Sequence, residues 1–171
     1  MTEIKLQIEP LTQQGFAPYG DVIEINDANQ IISINQGLAD RHHDLAEVDV
    51  NDENGHAIIS IIDTQKVCLP LRISVMERHP LGSQAFMPIG DNPYIVVVTE
   101  SGEFDYQQLK GFLARPNQGV NYAKGVWHHS CMSLNGANQF LVVDRGGQGA
   151  NCDFISVPDS VNITIDSEDC L

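Results

Sequence analysis

Two short segments carry residues able to bind a divalent ion or move protons. One is Gly125-Val-Trp-His128-His129, preceded by Gly119-Val-Asn121-Tyr122; the other is Glu77-Arg78-His79-Pro80, followed by Gly-Ser-Gln84. Imidazoles and a carboxylate are the groups that ligate metals or act as general acids and bases near neutral pH. A site shared between the segments requires a fold that folds the chain back on itself, because they are far apart in sequence.

Strand periodicity states how such residues would be presented. In the run Leu69 to His79, alternation places Leu71, Ile73, Val75, Glu77 and His79 on one face, with Arg72, Ser74, Met76 and Arg78 on the other. If the Leu/Ile/Val face is the core, Glu77 and His79 point inward, where an ionised carboxylate must be satisfied by a metal, an arginine or a substrate. If the strand ends before Glu77, both residues reach solvent at the rim, and alternation does not choose between the two. In the second segment His128 and His129 fall on opposite faces, so a regular strand offers only one of them to a pocket, and periodicity leaves open which. A lone interior histidine also serves as hydrogen-bonded core. Arg145 shares a face with Leu141 and Val143; an inward guanidinium there suits bidentate capture of a carboxylate or a structural ion pair with Glu77 or Asp144. Arg41-His42-His43-Asp44 reads as a solvated or interface cluster after a turn at Gln36-Gly37. Cys131 and Cys152 lack a neighbouring activating signal, and Gly146-Gly-Gln-Gly149 is followed by neither a helix pattern nor a Lys-Ser/Thr pair, which excludes a phosphate-binding loop.

The elements that must hold these residues are short and β-type. Strands are expected at Asp21 to Ile25, Ile31 to Asn35, Ala57 to Ile62, Leu69 to His79, Gln84 to Met87, Tyr94 to Thr99, Gln108 to Ala114, Val120 to Ala123, Trp127 to Met132, Gln139 to Arg145 and Cys152 to Val157. Breakers such as Asn54-Gly55, Asn135-Gly136 and Gly146-Gly147 separate them, which indicates an all-β sandwich or barrel. One short helix is expected at Thr12 to Ala17, capped by Thr12. No repeat or linker interrupts the chain, so residues 1–171 read as a single domain ending in an acidic, solvated tail from Asp166.

Composition narrows the partners. With 171 residues, 42% hydrophobic and 19% charged, the chain has the make-up of a globular domain. A net charge of −14 repels phosphate backbones and anionic lipid, so neither nucleic acid nor membrane is an expected partner. A small anion is not excluded, because a pocket with an arginine or a metal acts within the screening length of about 8 Å. The start of the chain has no basic stretch leading into an apolar one, and the four cysteines form no Cys-x-x-Cys pair. A soluble, cytoplasmic protein with reduced thiols is expected.

Five strings in order carry a resemblance: Arg41-His-His-Asp-Leu45, Glu77-Arg-His-Pro-Leu-Gly-Ser-Gln-Ala-Phe86, Gln118-Gly-Val-Asn-Tyr122, Val126-Trp-His-His129 and Asp144-Arg-Gly-Gly147. Together they resemble the ureidoglycolate lyase family of allantoin degradation over nearly the whole chain. The resemblance implies a cupin-like jelly-roll β-barrel, a homodimer, cleavage of ureidoglycolate to glyoxylate and urea, and nickel or another divalent ion as cofactor. Laid on the cupin pattern, Glu77, His79, Gln84 and His128 are the implied metal ligands, with neutral Gln84 standing where that pattern has a carboxylate. His79 or His128 is the implied proton-transfer group. Arg145, with Arg78 or Arg41 as substitutes, is the implied grip on the substrate carboxylate, and Asn121 and Tyr122 the implied contacts to its urea end. Two other activities remain compatible with the pattern, a hydrolase of the same substrate that releases ammonia and a cupin-like sensor of small acids.

Overall fold

The computed structural model describes residues 2–167. Its strands in chain order are β1 (Thr2–Lys5), β2 (Ile8–Pro10), β3 (Gly20–Ile23), β4 (Gln30–Ile34), β5 (Ala39–His43), β6 (His56–Thr64), β7 (Leu71–Ile73), β8 (Val75–Arg78), β9 (Gln84–Pro88), β10 (Tyr94–Thr99), β11 (Lys110–Ala114), β12 (Gly119–Tyr122), β13 (Trp127–His128), β14 (Met132–Ser133), β15 (Asn138–Gly146), β16 (Asp153–Ser156) and β17 (Val161–Ile165). A single turn of helix, α1 (Gln13–Phe16), begins at Thr12, whose hydroxyl accepts from the Gly15 amide at 3.1 Å.

A central sheet is sandwiched between two others. Its order is β16-β8-β13-β10-β11-β2, with β14 also paired to β10. β10 explains the arrangement: every residue of Tyr-Ile-Val-Val-Val-Thr is buried, because the strand has a core on each side. Tyr94, Val96 and Val98 face a core shared with the five-stranded sheet β3-β12-β9-β15-β6, where Phe86, Phe112, Tyr122 and Phe140 pack together. Ile95 and Val97 face a second core with Ile73, Met76, Trp127, Ile163 and Ile165, closed by the three-stranded sheet β1-β17-β7. Each such buried side chain contributes about 1.5–3 kcal/mol, and the Tyr94–Phe140 edge contact at 4.9 Å adds aromatic geometry to the first core. The all-β, cupin-like expectation holds. Among the described residues the strands form separate sheets and not one continuous closed ladder.

Three local differences bear on the site. The expected strand Leu69 to His79 divides at Ser74 into β7 and β8, which belong to different sheets. Ile73 and Met76 therefore both enter the second core, while Val75 and Glu77 face the other way. This corrects the shared Leu/Ile/Val/Glu face, since one irregular residue flips every side chain after it. The expected strand Trp127 to Met132 is likewise two short strands, β13 and β14, separated by His129–Cys131. Arg41-His42-His43 lies in β5, which pairs with β4 in a two-stranded hairpin that, among the described residues, is hydrogen-bonded to no other sheet. β1, β2 and β17 went unread. Asp166 of the expected solvated tail is half-buried and pairs with Lys5 at 3.1 Å, while residues 168–171 lie outside the described part. Cys68, Cys131 and Cys152 are free thiols.

Candidate metal and proton-transfer centre

β8 and β13 build the centre between them. Their antiparallel pairing sets His128 directly opposite Glu77, and residues in direct register project to the same face. That face looks toward the first core, where Tyr122 of β12 lies flat beneath the His128 ring at 4.1 Å and 9°. Trp127, one residue earlier, points into the second core. Gly125, at φ 78°, turns the chain into β13, and its amide donates to the His79 carbonyl at 2.9 Å, tying the start of the second segment to the end of the first. Two distant stretches of sequence thus meet at adjacent strand ends.

The ligand atoms converge. Glu77 Oε1 lies 3.6 Å from His128 Nε2, the His79 and His128 rings are 5.2 Å apart, and one ligand atom from each of Glu77, His79 and His128 lies within 4.8 Å of the others. His79 Nδ1 donates to the Asn151 carbonyl at 2.6 Å, and His128 Nδ1 to the Val126 carbonyl at 3.0 Å. A carbonyl can only accept, so each ring carries its proton on Nδ1 and turns its Nε2 lone pair toward the shared space. Both Nε2 atoms are buried without a hydrogen-bond partner. Leaving a buried polar atom unpaired costs about 1–3 kcal/mol, and here two lone pairs and a carboxylate share one hollow. That donor set fits a divalent cation.

Gln84, at the start of β9, donates from Nε2 to Asp144 Oδ2 at 3.3 Å, which leaves its Oε1 a buried acceptor without a partner. Electrostatics favour an anionic Glu77 whenever the facing imidazoles carry a second proton: a hydrogen bond from protonated His128 then holds its carboxyl below the ordinary value against the opposing effect of burial, and positive charge on His128, His79 and His129 assists. Burial lowers the His129 imidazole, which lines a small cavity of about 90 Å³ on the Glu77–His128 side of the group together with Val75, Met76, Ser130 and Phe154, a lining that does not include His79. A larger hollow of about 510 Å³ between α1, β3 and β5 holds one imidazole, His43, and, among the described residues, no such cluster; the chemistry points to the smaller one.

Of the remaining residues singled out in the sequence, Tyr122 touches this group through its ring, while the arginines and Asn121 stand apart from it. Arg145 is buried, as its strand position implied, but its guanidinium donates to the carbonyls of Asp52 at 2.8 and 3.1 Å and of Gln148 at 2.9 Å. It pins two loops and pairs with neither Glu77 nor Asp144. Arg78 alternates with Glu77 onto the opposite face, where it lies 4.5 Å from the Trp127 ring centre and bonds Asp153 at 2.9 Å. Asn121 alternates away from Tyr122, donates to Asp21 and the Glu47 carbonyl, and lines a different cavity. Tyr122 reaches the centre through its ring; its hydroxyl is buried against Cys131 Sγ at 3.8 Å and is not open to a substrate. Arg41 lies exposed in the hairpin. The orienting carbonyls of Val126 and Asn151 escaped sequence reading because any residue type supplies one.

The sequence profile of the ureidoglycolate lyase family matches residues 3–164. The chain belongs to the ureidoglycolate lyase family. It is 49% identical over 162 residues to the ureidoglycolate lyase of Burkholderia mallei (strain NCTC 10229), covering 95% of each chain. It is 49% identical over 149 residues to that of Pseudomonas paraeruginosa (strain DSM 24068 / PA7), covering 86% of this chain and 88% of the relative. With the ureidoglycolate lyase of Burkholderia cepacia it shares 46% over 151 residues, 88% of this chain and 85% of the relative. Family members act as lyases, and the paired segments at 77–84 and 118–129 lie inside all of the region that the family profile covers.

Proposed function

We propose that this chain is a cytoplasmic ureidoglycolate lyase, a single cupin-like domain working as a homodimer, that cleaves ureidoglycolate to glyoxylate and urea in purine breakdown. The observation that carries the reading is the Glu77–His79–His128 cluster with its two unpartnered Nε2 atoms, in a chain of this family. The substrate carbon bears a hydroxyl, a carboxylate and a urea nitrogen. Cleavage removes the hydroxyl proton, forms the aldehyde carbonyl as the C–N bond breaks, and returns a proton to the departing nitrogen.

Glu77, His79, His128 and the Gln84 Oε1 are the residues that would hold a divalent ion, nickel being one that suits imidazole donors. When bound, such an ion polarises the substrate oxygens. The carbonyls of Asn151 and Val126 fix the tautomers of His79 and His128, so that with one of the two imidazoles serving as ligand the Nε2 lone pair of the other accepts the hydroxyl proton and hands it to the urea nitrogen. The ionised Glu77 stabilises the imidazolium formed in between. Tyr122 keeps the His128 ring in plane, and the surrounding apolar core keeps bulk water from the transferred proton. The bare apolar side chains on β6, Ile59 at 72% and Ile61 at 60% exposure, support a dimer.

The test is product analysis. Purified protein is expected to release urea and glyoxylate from ureidoglycolate faster than the spontaneous decay, and His128→Ala to lose about 10²- to 10⁴-fold of that rate. Ammonia in place of urea would replace the lyase by a hydrolase, and parental rates in His128→Ala would remove His128 from the proton path.

A further inference from the structure

The centre described above lacks one thing that its anionic substrate requires, an available cation beside the metal-type ligands. Of the five arginines, Arg72 bonds the Val161 carbonyl and approaches Asp159, Arg78 is held by Asp153, Arg115 by Glu24 and Arg145 by main-chain carbonyls. Arg41 is the one arginine without a partner among the described residues, and it does not line the cavity at Glu77.

Its element is equally unaccounted for. A two-stranded hairpin alone is marginal in water, yet among the described residues β4–β5 joins no other sheet. The register puts Ile32 opposite Arg41 and Ile34 opposite Ala39, so one face of the hairpin presents Ile32, Ile34, Ala39 and Arg41 together. Ile34 is 38% exposed and Arg41 is exposed. The mouth of the Glu77 centre is the matching surface. Phe154 of the edge strand β16 lies directly opposite Glu77 and is 67% exposed, and Val75 shares the Glu77 face at 41%. Each surface sets apolar side chains around one charge, cationic on the hairpin and anionic at the mouth. Such a pair of patches on one chain is self-complementary under a two-fold axis.

We infer that the β4–β5 hairpin of one copy of this chain docks over the Val75–Phe154 mouth of another and supplies Arg41 as the grip on the substrate carboxylate. The active centre is then completed only in the dimer. Glu77 and the imidazoles of one copy handle the metal and the proton while the guanidinium of the other fixes the acid by two parallel hydrogen bonds. The inference rests on the lyase reading for its anionic substrate, but the docking itself does not.

Two experiments separate these. Arg41→Ala and His128→Ala, each inactive alone, are co-expressed with different tags and the heterodimer is purified through both. One of its two sites is composed entirely of parental residues, so it is expected to recover about half of the parental rate per dimer. A heterodimer no more active than its parents, or an Arg41→Ala protein of parental rate, overturns the shared site. Ala39→Cys, on the Arg41 face, is then treated with a short bis-maleimide, the natural exposed Cys152 beside Glu77 being the second thiol. Linkage of 39 to 152 between isotopically distinct copies is expected whatever the catalytic result. Linkage within one copy, no linkage, or a monomer in solution overturns the docking, whereas linkage without any urea release overturns only the reaction assigned above.

Discussion

At the scale of single residues, the centre is a matter of which polar atoms are left over. His79 and His128 each spend Nδ1 on a backbone carbonyl, and this fixes where the remaining lone pairs go. The sequence contained the donor types and even Gln84 but not these carbonyls, because a main-chain oxygen has no letter. Arg145 teaches the same point from the other side: alternation correctly put it inward, but its partners are carbonyls of the loops at 52 and 148, invisible to any pattern of side chains. Cys131 gives a residue-scale prediction. Burial pushes its thiol up to about 12, with the Glu77 charge assisting and the Tyr122 hydroxyl opposing. An unfolded cysteine titrates near about 8.5. Above that pH the unfolded chain has released a proton that the folded chain retains, so stability falls as pH rises, by up to about 1.4 kcal/mol per pH unit for this group. Urea midpoints measured between pH 8 and 9.5, below the range where tyrosines contribute, are expected to fall in the parent and to fall less steeply in Cys131→Ala. Equal slopes in the two proteins would discount the buried thiol.

At the scale of elements, most strands were legible because turn residues bound them and β-branched side chains fill them. Tyr94–Thr99 was legible to the residue as a strand, whereas its burial on both faces emerged only from the fold. The failures share a cause: periodicity assumes an unbroken strand, whereas Ser74 ends β7 and starts β8 in another sheet, and His129–Cys131 interrupt what looked like one run. Glu77 and His128 were still brought together, through a different face from the one that alternation implied. β5 was missed because Ala-Asp-Arg-His-His has almost no apolar pattern; it exists by pairing with the isoleucines of β4. Close approach of backbones supplies the element-scale prediction. Gly20 has φ 139°, and a Cβ there would collide with the Asn121 carbonyl on the neighbouring strand. Gly125 has φ 78° but meets only Ser101 Cβ at 3.5 Å. Gly20→Ala therefore combines backbone strain with forced separation of β3 from β12, and is expected to cost more than about 2 kcal/mol, against about 1 kcal/mol for Gly125→Ala. Urea unfolding of the two variants checks the order; comparable losses would mean that β3 yields without cost.

At the scale of the whole molecule, a chain of net charge −14 must attract an anion. The field of the surface repels the substrate carboxylate at long range, while a divalent ion at Glu77 and the Arg41 guanidinium proposed above would act only at short range. Salt separates the two contributions. At about 10 mM ionic strength the screening length is about 30 Å and the repelling surface is felt well before contact; at about 150 mM it is about 8 Å and only the site remains. The apparent kcat/KM for ureidoglycolate is therefore expected to rise, on the order of threefold, between these two conditions, with kcat nearly unchanged because bound substrate no longer crosses the long-range field. The same screening lowers the repulsion between two copies of so acidic a chain, so the rise has to be measured at protein concentrations where size-exclusion chromatography shows one oligomeric state throughout. A fall in kcat/KM with added salt under those conditions would mean that local cations, and not the global charge, govern capture.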